Sequence, residues 1–116
     1  MERQPSIAQQ RLEDLLKKDQ THVADKERTS LFLIISGNDD LYRKAEHIYD
    51  FKNHWIKDEC LTSSKVDFSS GSKALIRLGF NLYNGYSPAD IRDIFSVLDQ
   101  ENIELALEAI EYRFNR

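Results

Sequence analysis

Residues 73–84, Lys73-Ala74-Leu75-Ile76-Arg77-Leu78-Gly79-Phe80-Asn81-Leu82-Tyr83-Asn84, decide the fold class. Placed at the helical increment of about 100° per residue, the apolar positions cover about two thirds of the circumference. Lys73, Arg77, Asn81 and Asn84 form the polar strip that is left. A helix this apolar needs several others packed around it. Ser69-Ser70-Gly71 upstream supplies a cap, and Asn84-Gly85 supplies a left-handed stop. Gly79 inside such a helix costs about 1 kcal/mol relative to alanine, which predicts a close helix crossing at that point.

Working back toward the N-terminus, Thr62 to Asp67 has turn-like composition and no periodicity, so a loop is expected over 62–68. Before it, Leu41, Ala45, Ile48 and Tyr49 share a helical face that Asn38 or Asp39 can cap. That pattern runs on through Phe51, Trp55 and Ile56 toward Cys60 and Leu61, with a break placed near Asp50. The run Leu31-Phe32-Leu33-Ile34-Ile35 fits a buried strand or a buried helix. The charged lead-in Asp25-Lys26-Glu27-Arg28, the stop at Gly37 and the lack of a second convincing strand favour helix. Ser6 can cap a first helix bearing Ala8, Leu12, Leu15 and Leu16 on one side, ended by the polar stretch Asp19–His22. Residues 1–5 are expected to be disordered.

Working forward, Ser87-Pro88 reads as a cap followed by proline at the first helical position, with Ile91, Ile94, Phe95 and Leu98 inward. Asp99 or Asn102 then opens the last helix. Its main apolar face is Ile103, Ala106, Leu107, Ile110 and Phe114, and a smaller stripe of Leu105, Ala109 and Tyr112 lies roughly opposite. Glu104, Glu108 and Glu111 run between the two. The expectation is an all-α single domain over 1–116, a bundle of five or six short helices around a central buried helix at about 70–84.

Composition narrows the function classes. The chain has 116 residues, with 41% hydrophobic and 31% charged side chains, enough apolar material for a core. One cysteine excludes an intramolecular disulfide framework and a cysteine-based zinc finger. Its free thiol and the polar N-terminus point to the cytoplasm, and no apolar run approaches the length of a membrane span. The net charge of −4 is spread evenly and no cluster of Lys and Arg is visible, which argues against nucleic acid as a partner.

Motifs that would carry chemistry fall short of their patterns. His47 and His54 are seven residues apart, with Asp50, Asp58 and Cys60 nearby, whereas compact helical metal pairs sit at three or four. No metal or cofactor is expected. Ser69-Ser70-Gly71-Ser72-Lys73 lacks the upstream glycine, the Gly-Lys pair and the following hydroxyl of a phosphate loop, and reads as a serine cap. Cys60 lacks an orienting group and an oxyanion donor, so no catalytic activity is expected. The last three helices could mimic a helix-turn-helix, but the final one offers an acidic strip where bases and phosphates need Arg, Lys, Asn or Gln.

The string Ser70-Gly71-Ser72-Lys73-Ala74-Leu75, Asn81-Leu82-Tyr83-Asn84-Gly85, Leu98-Asp99, Ala109-Ile110 and Arg113-Phe114 resembles an uncharacterised family of small helical proteins from Bacillota and their phages. The similarity reaches back to Ser36-Gly37-Asn38 and Leu41-Tyr42 and covers about the last two thirds of the chain. It implies a bacterial or phage source and carries no activity or site residues.

What remains is a small cytoplasmic protein-interaction module: an adaptor, inhibitor or regulatory partner binding another protein or itself as a homodimer. Leu105, Ala109, Tyr112 and Trp55 are the candidate partner surface, because a spare apolar stripe and an aromatic anchor are what interfaces use. The alternative is a nucleic-acid-associated transcriptional or phage-related regulator using the last three helices.

Overall fold

A computed structural model describes residues 6–22 and 24–115. The expectation for residues 1–5 therefore lies outside the described residues. The chain is an all-α domain with a two-stranded hairpin inserted. The helices are α1 (Ile7–Asp19), α2 (Lys26–Gly37), α3 (Asp39–Arg43), α4 (Ala45–Ile48), α5 (Ser70–Asn84), α6 (Ile91–Phe95) and α7 (Gln100–Phe114). Strands β1 (Tyr49–Asp50) and β2 (Trp55–Ile56) and a 3-10 turn at Asp58–Leu61 lie between α4 and α5. Residues 62–69 carry no helix or strand.

Most helix starts follow from one side chain each. Ser6 accepts from the Gln9 amide, Asp25 from Arg28, Asn38 from Leu41, Ser69 from Ser72 and Asp99 from Asn102. Each such cap satisfies an amide that would otherwise be orphaned, a contribution of about 1 kcal/mol. The sixth cap differs from expectation. Asp90, not Ser87, accepts from the Arg92 and Asp93 amides, so Pro88 stays outside α6 and that helix is a single short turn and a half. A carboxylate reaching two amides outcompetes the Ser-Pro start.

Two helices share the centre. α5 forms where the periodicity places it, and Gly85 closes it at φ 78°. α2 is helical through Leu31–Ile35 and packs against α1, α3, α5 and α7. It can be buried nearly all round because its polar side chains turn back on its own backbone. The Thr29, Ser30 and Ser36 hydroxyls donate to the carbonyls of Asp25, Glu27 and Phe32. α2 and α5 meet at Gly79, where an added Cβ would lie 2.8 Å from Leu31 Cδ1. The glycine thus marks the close crossing.

The continuous helical pattern read across residues 41–61 does not hold. The helix ends at Ile48, and Tyr49 pairs with Ile56 and Asp50 with Trp55 in an antiparallel hairpin. Local polar competition explains the break. The Asp50 carboxylate accepts from the Lys52 and Asn53 amides and from Asn53 Nδ2. Asn53 thereby holds that carboxyl below the usual range, and the turn outbids the helix. His54 closes the turn at φ 60°, in the left-handed region. The aromatic and branched residues on either side then suit extended backbone.

Candidate functional site

α7 carries two apolar stripes, and the fold buries the smaller one. Leu105 is 8% exposed and Ala109 is fully buried, so neither is available to a partner. This corrects their assignment as docking residues. The reason is the approach of α2: an added Cβ on Gly37 would sit 2.3 Å from Leu105 Cδ1, so Leu105 fills the space the glycine leaves. Short side chains at Ala106 and Ala109 let α7 lie close, where leucine and phenylalanine would hold it off. Tyr112, the third member of that stripe, is half-buried and lines a groove with Leu16, Gln20, Thr21 and Thr29.

The stripe expected to be core is what faces outward. Leu107 is 53% exposed and Phe114 63%, while Ile103 and Ile110 are half-buried beside them. These four residues follow each other at intervals of four, three and four, the spacing of a coiled-coil seam. Glu104 and Glu111, one position after Ile103 and Ile110, are exposed along one flank. The opposite flank is closed: Ala106 is fully buried, and Arg113 donates to the Leu82 carbonyl at 2.9 Å and pairs with Glu27 at 3.5 Å.

Trp55 is exposed, as a docking residue must be. It leaves β2 to meet the Tyr83 ring edge-on at 6.0 Å between centroids. The structure does not bring it together with α7's outward residues into one described groove, so the four candidate positions divide into two buried, one half-buried and one exposed.

Sequence reading missed a polar node beneath Trp55. Asp19, the last residue of α1, was read as part of a solvated helix end; its side chain is fully buried. Oδ1 accepts from His54 Nδ1 at 2.6 Å, and Oδ2 accepts from the Thr21 hydroxyl at 2.6 Å with Arg28 Nη1 at 3.5 Å. An ionised carboxylate has no proton to give, so the His54 proton resides on Nδ1. The Tyr49 hydroxyl is buried close by with no hydrogen-bond partner. Burial first, and then the Asp19 charge, push its pKa above the usual phenol range. Chemically, a carboxylate bound to Nδ1 is the orienting half of a general-base pair. Mechanically, it ties the end of α1 to the hairpin. The signal that could have revealed it was weak: a lone Asp at a helix C-terminus, where the dipole disfavours negative charge, signals some compensating partner.

The remaining motif residues go separate ways. His47 ends α4 and His54 lies in the hairpin turn, so the two do not share a helix. Among the described residues no group of three or more His, Cys, Asp and Glu side chains is arranged to hold a metal. Cys60 is buried, and burial pushes its thiol pKa up to about 12, which removes the thiolate a nucleophile requires. At the start of α5, Ser69 Oγ takes the Ser72 amide and Ser72 Oγ donates to Asp40 Oδ2 at 3.3 Å. A carboxylate thus already occupies the region where an anion would have bound.

The described helices include none long and apolar enough to cross a membrane. A family model described as a family of unknown function, DUF6075, matches residues 6–116. The chain belongs to this family. No curated protein and no solved structure matches it. The DUF6075 match takes in the Ser6 cap, the Asp19 node and the whole of α7, well beyond the last two thirds on which the resemblance rested.

Proposed function

We propose that this DUF6075 chain is a small protein-interaction module, an adaptor, inhibitor or regulatory partner acting in the cytoplasm without catalysis of its own. One observation carries the reading. α7 is held against the core by its small stripe and leaves a heptad-spaced seam of Ile103, Leu107, Ile110 and Phe114 on the surface. Large apolar side chains repeated along one exposed helix face are what helix-in-groove and helix-on-helix recognition use. Trp55 offers a second anchor of the type enriched at hot spots.

Replacing Leu107 and Phe114 by Asp tests the reading. Both are exposed, so the double variant should keep the helical circular dichroism and melting temperature of the parent. In a tagged pull-down from a Bacillota lysate treated with nuclease, it should lose a stoichiometric protein that the parent retains. Equal recovery by parent and variant would remove the α7 face from consideration, and recovery abolished by nuclease would transfer the case to nucleic acid.

A further inference from the structure

We infer that the occupant of the α7 face is an amphipathic helix of another protein whose apolar seam is bordered by lysine or arginine, and not a second copy of this chain. The inference rests on the α7 docking reading and adds the chemistry of the partner. With Ile103 and Ile110 at d and Leu107 and Phe114 at a, both e positions of the outward face are glutamate, Glu104 and Glu111. The g positions are Ala106 and Arg113, and the fold has already used them. Ala106 is fully buried, and Arg113 is committed to the Leu82 carbonyl and to Glu27.

An incoming helix is therefore confined to the a, d and e side, where it lies against the seam and alongside both glutamates. In coiled-coil packing the flanking charges choose the partner and its orientation. A second copy fails in both orientations. Antiparallel two-fold pairing sets the e rows against each other, glutamate facing glutamate. Parallel pairing matches each e row with the partner's g row, which is buried in the core of its own chain. A helix with Lys or Arg beside its apolar seam meets neither obstacle and turns Glu104 and Glu111 into cross-interface pairs. Such rim pairs act mainly through selectivity and encounter rate.

The test uses the full chain and two designed helical peptides of about three heptads, identical in their leucine seam. One carries lysine and the other glutamate at the flanking positions, and binding is read by fluorescence anisotropy. The lysine peptide should bind about tenfold more tightly, the sum of a few exposed charge pairs, with the preference shrinking as salt is added. Glu104→Lys with Glu111→Lys should invert the preference, and Leu107→Asp with Phe114→Asp should abolish binding of both peptides. Equal affinity for the two peptides, sensitive to the Leu107 and Phe114 changes, would overturn the charge inference and leave the docking face standing. A dimer in analytical ultracentrifugation that Phe114→Asp dissolves would overturn it in favour of a second copy. Binding of the lysine peptide that survives Leu107→Asp with Phe114→Asp would sink the docking face itself.

Discussion

His54 and Asp19 are 35 residues apart in sequence and 2.6 Å apart in space. Their bond joins the C-terminus of α1 to the turn of the hairpin. It is made from a carboxylate that has no contact with solvent and a histidine whose backbone sits at φ 60°. Both partners hold unfavourable positions, a buried charge and a left-handed backbone, so the contact between them must offset two local costs.

Removing the carboxylate should therefore be expensive. Asp19→Ala leaves the Thr21 hydroxyl, the His54 ring and the Arg28 guanidinium without their shared acceptor, a loss of about 2–4 kcal/mol. Asp19→Asn keeps an acceptor oxygen and should lose less. Urea unfolding followed by tryptophan fluorescence measures both, and an Asp19→Ala protein as stable as the parent would show that the node is not a tie.

The histidine can be dissected through its backbone. His54→Ala and His54→Gly both delete the Asp19 contact, but only alanine has a side chain to strain at φ 60°. The glycine variant should be the more stable by about 1 kcal/mol. A reversed order in thermal melts would mean that the turn relaxes to negative φ when the ring is removed.

Tyr49 makes the opposite prediction from most buried polar groups. Its ring is fully buried against Phe32 and Phe51, at centroid distances of 5.0 and 5.1 Å, while its hydroxyl has no partner. Tyr49→Phe keeps the ring contacts and removes an unsatisfied group, so stability should be unchanged or rise by up to about 1 kcal/mol. A clear loss in urea unfolding would reveal a hydrogen bond, through water or a shifted Asp19, that the hydroxyl does make.

Two raised pKa values set the alkaline limit. Burial keeps the Cys60 thiol protonated up to about 12 and keeps the Tyr49 phenol protonated above its ordinary range. In the unfolded chain these groups ionise near 9 and 10. Both contributions are complete below those unfolded values and disappear as pH rises toward the folded ones, because the unfolded state then binds fewer protons. Stability should fall between about pH 9 and 12, more gently in Tyr49→Phe. At pH 8 a thiol reagent should label Cys60 only after denaturant is added, and rapid labelling of the native protein would contradict its burial.

The α2–α7 crossing can be probed at its narrowest point. An alanine at Gly37 would place Cβ 2.3 Å from Leu105 Cδ1 and 3.1 Å from its Cγ. Moving a buried leucine in a packed interface costs about 1–3 kcal/mol. Leu105→Ala should make room, so the double variant should lose less than the sum of the two single changes. Strict additivity in denaturant melts would place the two residues out of contact.

The sequence by itself determined the elements whose cause is local. Ser6, Asn38, Ser69 and Asp99 cap the helices they precede, the 73–84 pattern makes a helix with Gly85 as its stop, and Leu31–Ile35 is helical because nothing nearby could pair with a strand. Such features act through bonds within a few residues, so reading along the chain reaches them. Tertiary structure decided what depends on distance across the fold. Periodicity shows that α7 has two apolar stripes but cannot rank them, because the choice belongs to Gly37 on another helix and to how closely α2 can approach. Asp19 looks like any polar helix end until His54 reaches it from a turn 35 residues away. The break at Tyr49 depends on Asp50 and Asn53 satisfying the turn more cheaply than the helix would, with Ile56 waiting to pair. In each case apolar area or hydrogen-bonding capacity was written locally, and geometry between distant elements chose where it was spent.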